Sequence, residues 1–181
     1  MTARRFAAGA LIVVLALGAG AVLAAVPGPC DTESPYHCVS VRVDPDRPTG
    51  RSLWLDTLRH SYVDLADPTH LEFRYTQLIV EIQDTLGDGS LDALYVGGGG
   101  FTLPVHLLET RPGSTAHVLE IDPTLVDLAE TDFGVEFGGG LTVDVGDARL
   151  AIGSLPTDRY DIVVGDAFGG LAVPWHLTTE E

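Results

Sequence analysis

The chain contains no lysine: all ten of its basic residues are arginine, against 26 aspartates and glutamates, and the formal net charge is −16. Without lysine, no Walker-type phosphate loop can be completed. A field of this sign repels phosphate backbones, so nucleic acid is set aside as a partner and small cationic ligands, or none, are favoured. Cysteine is almost as scarce: Cys30 and Cys38, in "CDTESPYHC", are the only two. His37 stands beside Cys38, but two cysteines and one histidine lack the fourth ligand of a structural zinc site, and no metal is expected. In an oxidising compartment two thiols this close in sequence are expected to form a disulfide closing a small loop, with free thiols as the alternative.

Apolar residues, by contrast, crowd the N-terminus. Arg4 and Arg5 precede an uncharged stretch from Phe6 to Val26, followed by Pro27-Gly28-Pro29. Its 21 residues are enough to cross a hydrocarbon core of about 30 Å at about 1.5 Å per residue. Val22-Leu23-Ala24 also offers small residues for signal cleavage. Both readings keep the arginines in the cytoplasm and place everything after Val26 outside. The expectation is a membrane protein whose domain is extracytoplasmic, or a secreted one if the N-terminus is cleaved.

The remainder divides in two. Residues 30–68 hold short alternating runs, "VSVRVD", "RSLWLD" and "HSYVDL", broken by "PDRPTG", a pattern that predicts a small antiparallel hairpin or meander. Residues 69–181 begin with "THLEFRYTQLIVEIQDTL", whose spacing predicts a helix capped by Thr69 with Leu71, Tyr75, Leu78, Ile79 and Ile82 on its apolar face. From residue 91 strands and helices alternate: "LDALYVG", "TAHVLEID", "LTVDVGDA" and "YDIVVGDA" read as nearly unbroken apolar strands. "TLPVHLLET", "PTLVDLAETDF" and "RLAIGSL" read as the helices between them. This order predicts a parallel sheet covered on both faces. "PWHLTTEE" reads as the start of one more helix. Four parallel strands are few for a doubly wound domain, so the sheet is expected to be incomplete at the C-terminus and the chain to be a piece of a longer protein.

Three features fall at the carboxyl ends of successive strands, where open α/β sheets bind ligands. Gly97, Gly98, Gly99 and Gly100 follow the first, Glu120 and Asp122 end the second, and Gly146-Asp147 ends the third. Glycines allow a tight turn and a close approach of backbone to ligand. An acid about 20 residues further on can take both hydroxyls of a ribose. The dinucleotide spacing G-x-G-x-x-G is not met, because the sixth position is Thr102 or Leu103. A pyrophosphate is a poor guest among so many acids, and an adenosine carried on a cationic sulfonium is a better one.

"YVGGGGFTLP", "VLEIDP", "VDVGDARLAI" and "YDIVVGDAFGG…VPWHLTTEE" resemble the spermidine synthase (polyamine aminopropyltransferase) family, and "SPYHCVSVRVD", "RSLWLD" and "FRYTQL" look like its N-terminal strands and first helix. The apolar segment followed by paired cysteines resembles membrane-embedded bacterial members. The resemblance implies a methyltransferase-like Rossmann fold, preceded here by the antiparallel segment and an N-terminal apolar helix. It implies decarboxylated S-adenosylmethionine or S-adenosylmethionine as co-substrate, a small cationic acceptor such as a polyamine, and leaves a homodimer open. It implies that Gly97–Gly100 and Glu120–Asp122 surround the ribose end of that ligand, that Asp147 and Ala148 meet its adenine, and that Asp166 is the catalytic acid. A carboxylate is required because an attacking amine, with a pKa of about 10, is protonated until a base takes its proton.

Two departures stand beside these matches. Gly99 or Gly100 occupies the place of an aspartate that grips the donor's amino group, and Gly169 that of one that grips the polyamine. The family's "YHE" is Tyr75-Thr76-Gln77. Two readings follow: an S-adenosyl-dependent transferase, or a noncatalytic membrane-tethered ligand-binding domain that keeps the fold.

Overall fold

A computed structural model of the protein describes residues 30–168 and 172–179. Four antiparallel strands come first, β1 (Thr32–Glu33), β2 (Cys38–Val43), β3 (Gly50–Leu55) and β4 (Leu58–Asp64), in the spatial order β1-β2-β3-β4. The β2–β3 connection closes on Asp44, whose carboxylate accepts from Asp46 N–H at 2.9 Å. The tight β3–β4 turn puts Asp56 at φ 56°, a left-handed conformation that Asp tolerates better than most residues. Alternation along β3 sends Leu53 and Leu55 inward, where they join the main core.

Helix α1 (Arg74–Asp84) leads to the second sheet. There β5 (Asp92–Val96), β6 (Thr115–Glu120), β7 (Leu141–Val145) and β8 (Ile162–Gly165) pair in parallel in the order β7-β6-β5-β8. Helices α2 (Thr102–Thr110), α3 (Pro123–Thr131) and α4 (Ala148–Ile152) connect them. The run Ala93-Leu94-Tyr95-Val96 is buried throughout, as a central strand covered on both faces requires. On one side it meets Phe101, Leu103, Leu107, Leu125 and Ala129, and on the other Leu119 and Ala148. Each such side chain contributes about 1.5–3 kcal/mol by leaving water. The chain lays β5, β6 and β7 down in one direction and then returns to place β8 beside β5. That reversal is the switch point at which sheets of this kind open a crevice.

The strand–helix alternation expected from residue 91 onward is therefore present, and several details differ from expectation. Helix α1 begins at Arg74, with Phe73 as its uncapped N-cap, not at Thr69. Its inward face is mixed: Ile79, as expected, packs with Val80 against the main core, Thr76 and Gln83 are buried beside them, and Tyr75, Leu78 and Ile82 are exposed. Burial is tolerated because Thr76 Oγ1 donates to Phe73 O (2.7 Å) and Gln83 Nε2 to Tyr95 Oη (2.9 Å). "PWHLTTEE" forms only a three-residue 3₁₀ turn, Trp175–Leu177, among the described residues.

Two further expectations need correction. Cys30 and Cys38 are free thiols. The loop between them is closed instead by the β1–β2 pairing, with Asp31 N–H on Val39 O (3.0 Å) and Ser34 N–H on His37 O (2.8 Å). Asp56 anchors its far end by accepting from Cys38 N–H (3.1 Å) and pairing with His37 Nδ1 (3.1 Å). The Cys38 thiol is pushed up to about 11, first by its hydrogen bond with Cys30. The membrane span expected at residues 6–26 lies outside the described residues, and among those described no helix is long and apolar enough to cross a membrane. A membrane-held, extracytoplasmic placement is accordingly withdrawn.

Candidate functional site

The glycine turn begins where β5 ends. Gly97 N–H donates to Leu119 O (2.9 Å), and the residue sits at φ 99°. A Cβ there would come within 2.7 Å of the Asp166 carbonyl oxygen. Asp166 follows β8, and its N–H donates to Val96 O at 2.9 Å. The ends of β5 and β8 are thus packed backbone to backbone, which only glycine allows. A Cβ on Gly98 would meet the Phe101 ring at 2.8 Å, and one on Gly100 the Ser61 Cβ at 2.8 Å. The four glycines first satisfy the chain itself.

Glu120, at the end of β6, is buried and braces this turn. Its Oε2 accepts from Gly98 N–H (2.7 Å) and Gly99 N–H (3.2 Å), and its Oε1 from Asp122 N–H (2.9 Å). Three of the roughly four acceptor positions of a carboxylate are so occupied. Asp122 caps α3 by accepting from Thr124 N–H (3.0 Å), and Asp147 caps α4 by accepting from Arg149 N–H (2.8 Å). The second Asp122 oxygen, Oδ2, is buried with no partner. A buried oxygen without a donor carries the full desolvation cost.

These groups converge. Gly97, Gly99, Glu120, Asp122, Asp147, Ala148 and Asp166 all line one cavity of about 400 Å³ at the switch point, within the size range of small-ligand sites. Gly98 lies to one side, on a space of about 20 Å³ that also touches Asp166, Tyr75 and Tyr95. Gly100 faces away, into a larger cavity of about 790 Å³ beyond α2 that is lined by none of Glu120, Asp122, Asp147 and Asp166. Gly169 lies outside the described residues.

Asp166 is the electrostatic outlier of the site. Burial raises its carboxyl from 3.8 to about 6, against the hydrogen bond from Tyr75 Oη (3.2 Å), which pulls it down. Burial and the neighbouring Asp166 push the Tyr75 phenol well above its ordinary range. A carboxyl poised near neutrality can hold or release a proton at working pH.

The first sheet supplies the opposite wall. Tyr36, His37, Leu55 and His60 reach the cavity from the β1–β2 loop, β3 and β4, and Pro174, His176 and Leu177 close it from the C-terminal side. Burial, and then the nearby His37, lowers the His60 pKa and so favours its neutral form. No local pattern marks these residues in the sequence; the antiparallel sheet carries them over the strand ends. Among the described residues no cluster of His, Cys, Asp and Glu is arranged to hold a metal ion.

No protein-family model matches the chain. Over 90 residues it is 38% identical to the polyamine aminopropyltransferase of Vibrio vulnificus (strain CMCP6), a stretch of 49% of this chain and 30% of that protein. Over 103 residues it is 32% identical to the eEF1A lysine and N-terminal methyltransferase of Danio rerio, 54% of this chain and 15% of that one. The chain thus spans less than a third of either relative. Among solved structures, a probable spermidine synthase from Corynebacterium glutamicum ATCC 13032 superposes with a TM-score of 0.76 at 24% identity, covering 85% of this chain and 57% of that one. A spermidine synthase in complex with the transition-state analogue AdoDATO gives 0.65 at 17% identity, covering 82% and 50%. The fold is the methyltransferase-like α/β fold of spermidine synthases, and sequence and structural neighbours both support the likeness to that family.

Proposed function

We propose that this chain carries the adenosyl-binding and base-bearing part of a spermidine synthase-like aminopropyltransferase, or of a closely related S-adenosyl-dependent transferase. One observation carries the reading: a ribose-type acid, a base-type acid and a carboxyl raised to about 6 meet in one cavity at the switch point of a parallel sheet. The residues present fit an adenosyl ligand. Glu120 keeps one acceptor position for a ribose hydroxyl after bracing the turn. The orphaned Oδ2 of Asp122 lacks only a donor, which a ligand hydroxyl or a bridging water supplies. Asp147, with one oxygen engaged by Arg149 N–H, offers the other to an exocyclic amine.

When bound, the sulfonium of decarboxylated S-adenosylmethionine or S-adenosylmethionine supplies an electrophilic carbon beside a positively charged sulfur. Asp166 stands at the switch point and takes the proton that an incoming amine must shed before it can attack. Tyr75 holds the Asp166 carboxylate in place through its hydroxyl. The acceptor is a small cationic amine of the polyamine class, matched to a protein of net charge −16.

Calorimetry with S-adenosylmethionine, its decarboxylated form and methylthioadenosine tests the reading. Heat of binding that is lost in both Glu120→Gln and Asp147→Asn is expected. Silence with all three ligands at millimolar concentration would overturn it.

A further inference from the structure

We propose that Arg149 is a positioning residue: its guanidinium holds the C-terminal stretch against α4, so that Pro174, His176 and Leu177 form a wall of the cavity. Arg149 Nη1 donates to His176 O at 2.7 Å and to Thr179 Oγ1 at 2.8 Å. Beyond a single bridge residue, Ala172, the regular structure of that stretch among the described residues is one 3₁₀ turn, with Leu177 N–H on Pro174 O (2.9 Å) and Thr178 N–H on Trp175 O (3.0 Å). Trp175 is 78% exposed, and Leu177 is the residue that packs beside Leu94, Val96, Leu119 and Ala148. A charge-assisted bond to a backbone carbonyl therefore carries much of the register.

The same turn of helix reaches the cavity at its other end. Arg149 N–H is bonded to the Asp147 carboxylate, which lines the cavity, while the Arg149 side chain fixes the far wall. The first turn of α4 is a bracket joining the two. A ligand that draws on Asp147 acts on the same five-residue element that carries the wall. The inference rests on the adenosyl reading only for the identity of the ligand; the positioning itself is a property of the protein alone.

Two measurements on the purified chain separate the two claims. Hydrogen exchange, read on a peptide covering residues 172–179, should accelerate about tenfold or more in Arg149→Ala, with peptides from β5 and β6 unchanged. The methylthioadenosine dissociation constant should rise about tenfold in the same variant. Arg149→Lys keeps a cationic donor and should recover part of both effects. Thr179→Val, which removes one acceptor at the surface, should give a smaller change in exchange and serves if Arg149→Ala does not fold. Unchanged exchange over 172–179 overturns the proposal, as does faster exchange with an unaltered dissociation constant in a protein that binds. If the wild type binds no methylthioadenosine, the adenosyl reading fails, and the exchange measurement still decides whether Arg149 sets the wall.

Discussion

Replacing Gly97 by alanine separates the two reasons a position can demand glycine. Gly87 and Gly97 share nearly the same backbone, φ 95° and 99°. At Gly87 an added Cβ meets nothing within 4 Å, whereas at Gly97 it lies 2.7 Å from the Asp166 carbonyl oxygen and 3.0 Å from its carbon. An L-residue at such φ costs about 1–2 kcal/mol, and the stiffer unfolded chain returns about 0.4–1 kcal/mol. Gly87→Ala should then lose about 1 kcal/mol. Gly97→Ala adds an overpacking cost of about 1–3 kcal/mol, because backbone, not a flexible side-chain tip, has to yield. At about 2–4 °C per kcal/mol for a chain of this size, the total of about 2–4 kcal/mol should melt Gly97→Ala about 4–16 °C below wild type, and Gly87→Ala no more than about 4 °C below. Thermal melts followed by far-ultraviolet circular dichroism measure both. Ligand binding should suffer in Gly97→Ala alone, because what moves is the backbone of Asp166. Equal melting points, with binding equally retained, would refute the account of the turn as a junction packed between β5 and β8.

Asp166 makes a pH-dependent contribution whose sign follows from its raised pKa. The folded protein holds this proton up to about 6, while the ordinary value is 3.8, so the stability linked to it is present below the lower value and lost as pH rises through the upper one. Asp166→Asn should flatten the urea-unfolding profile over that window, be the more stable form at neutral pH, and abolish turnover. Transferase activity in the wild type should rise through pH about 6 as the carboxylate forms. Tyr75→Phe removes a hydrogen bond that lowers the Asp166 pKa, so this acid limb should move to higher pH, visible in the pH profile of kcat/KM. Methylthioadenosine at a hundred times its Kd should add about 2.7 kcal/mol and raise the melting point by about 5–10 °C; no shift under those conditions would contradict a ligand-binding cavity.

The strands from residue 91 onward were legible because each is a nearly unbroken apolar run. Only the central β5, however, is buried along Ala93–Val96, and the edge strands β7 and β8 leave Val145 and Val163 exposed. Pro123 behind Asp122, and Arg149 two places after Asp147, mark helix starts that the structure contains. The inward face of α1 was legible only in part. Hydrophobic spacing pointed to Leu71, Tyr75, Leu78, Ile79 and Ile82, of which Ile79 packs on the core. The helix's fully buried positions are instead Thr76 and Gln83, whose partners Phe73 O and Tyr95 Oη are set by tertiary placement. The glycine run was legible as a special turn but not for its cause, since Asp166 and Ser61 lie far away in sequence. Glu120 was read as a free ribose acid, and its three bonds to backbone N–H groups appear only once the turn has folded onto it.

Phe101 stands between the glycine turn and the larger cavity. It is fully buried, sits at φ 57°, meets Phe137 edge-on at 5.4 Å and lines the larger cavity, while Gly98 rests on its ring from the other side. A bulky side chain in that conformation is kept there by what surrounds it, as its own preference runs the other way. Trimming Phe137 should therefore slacken the amides that grip Glu120, so that a remote core substitution is felt at that carboxylate.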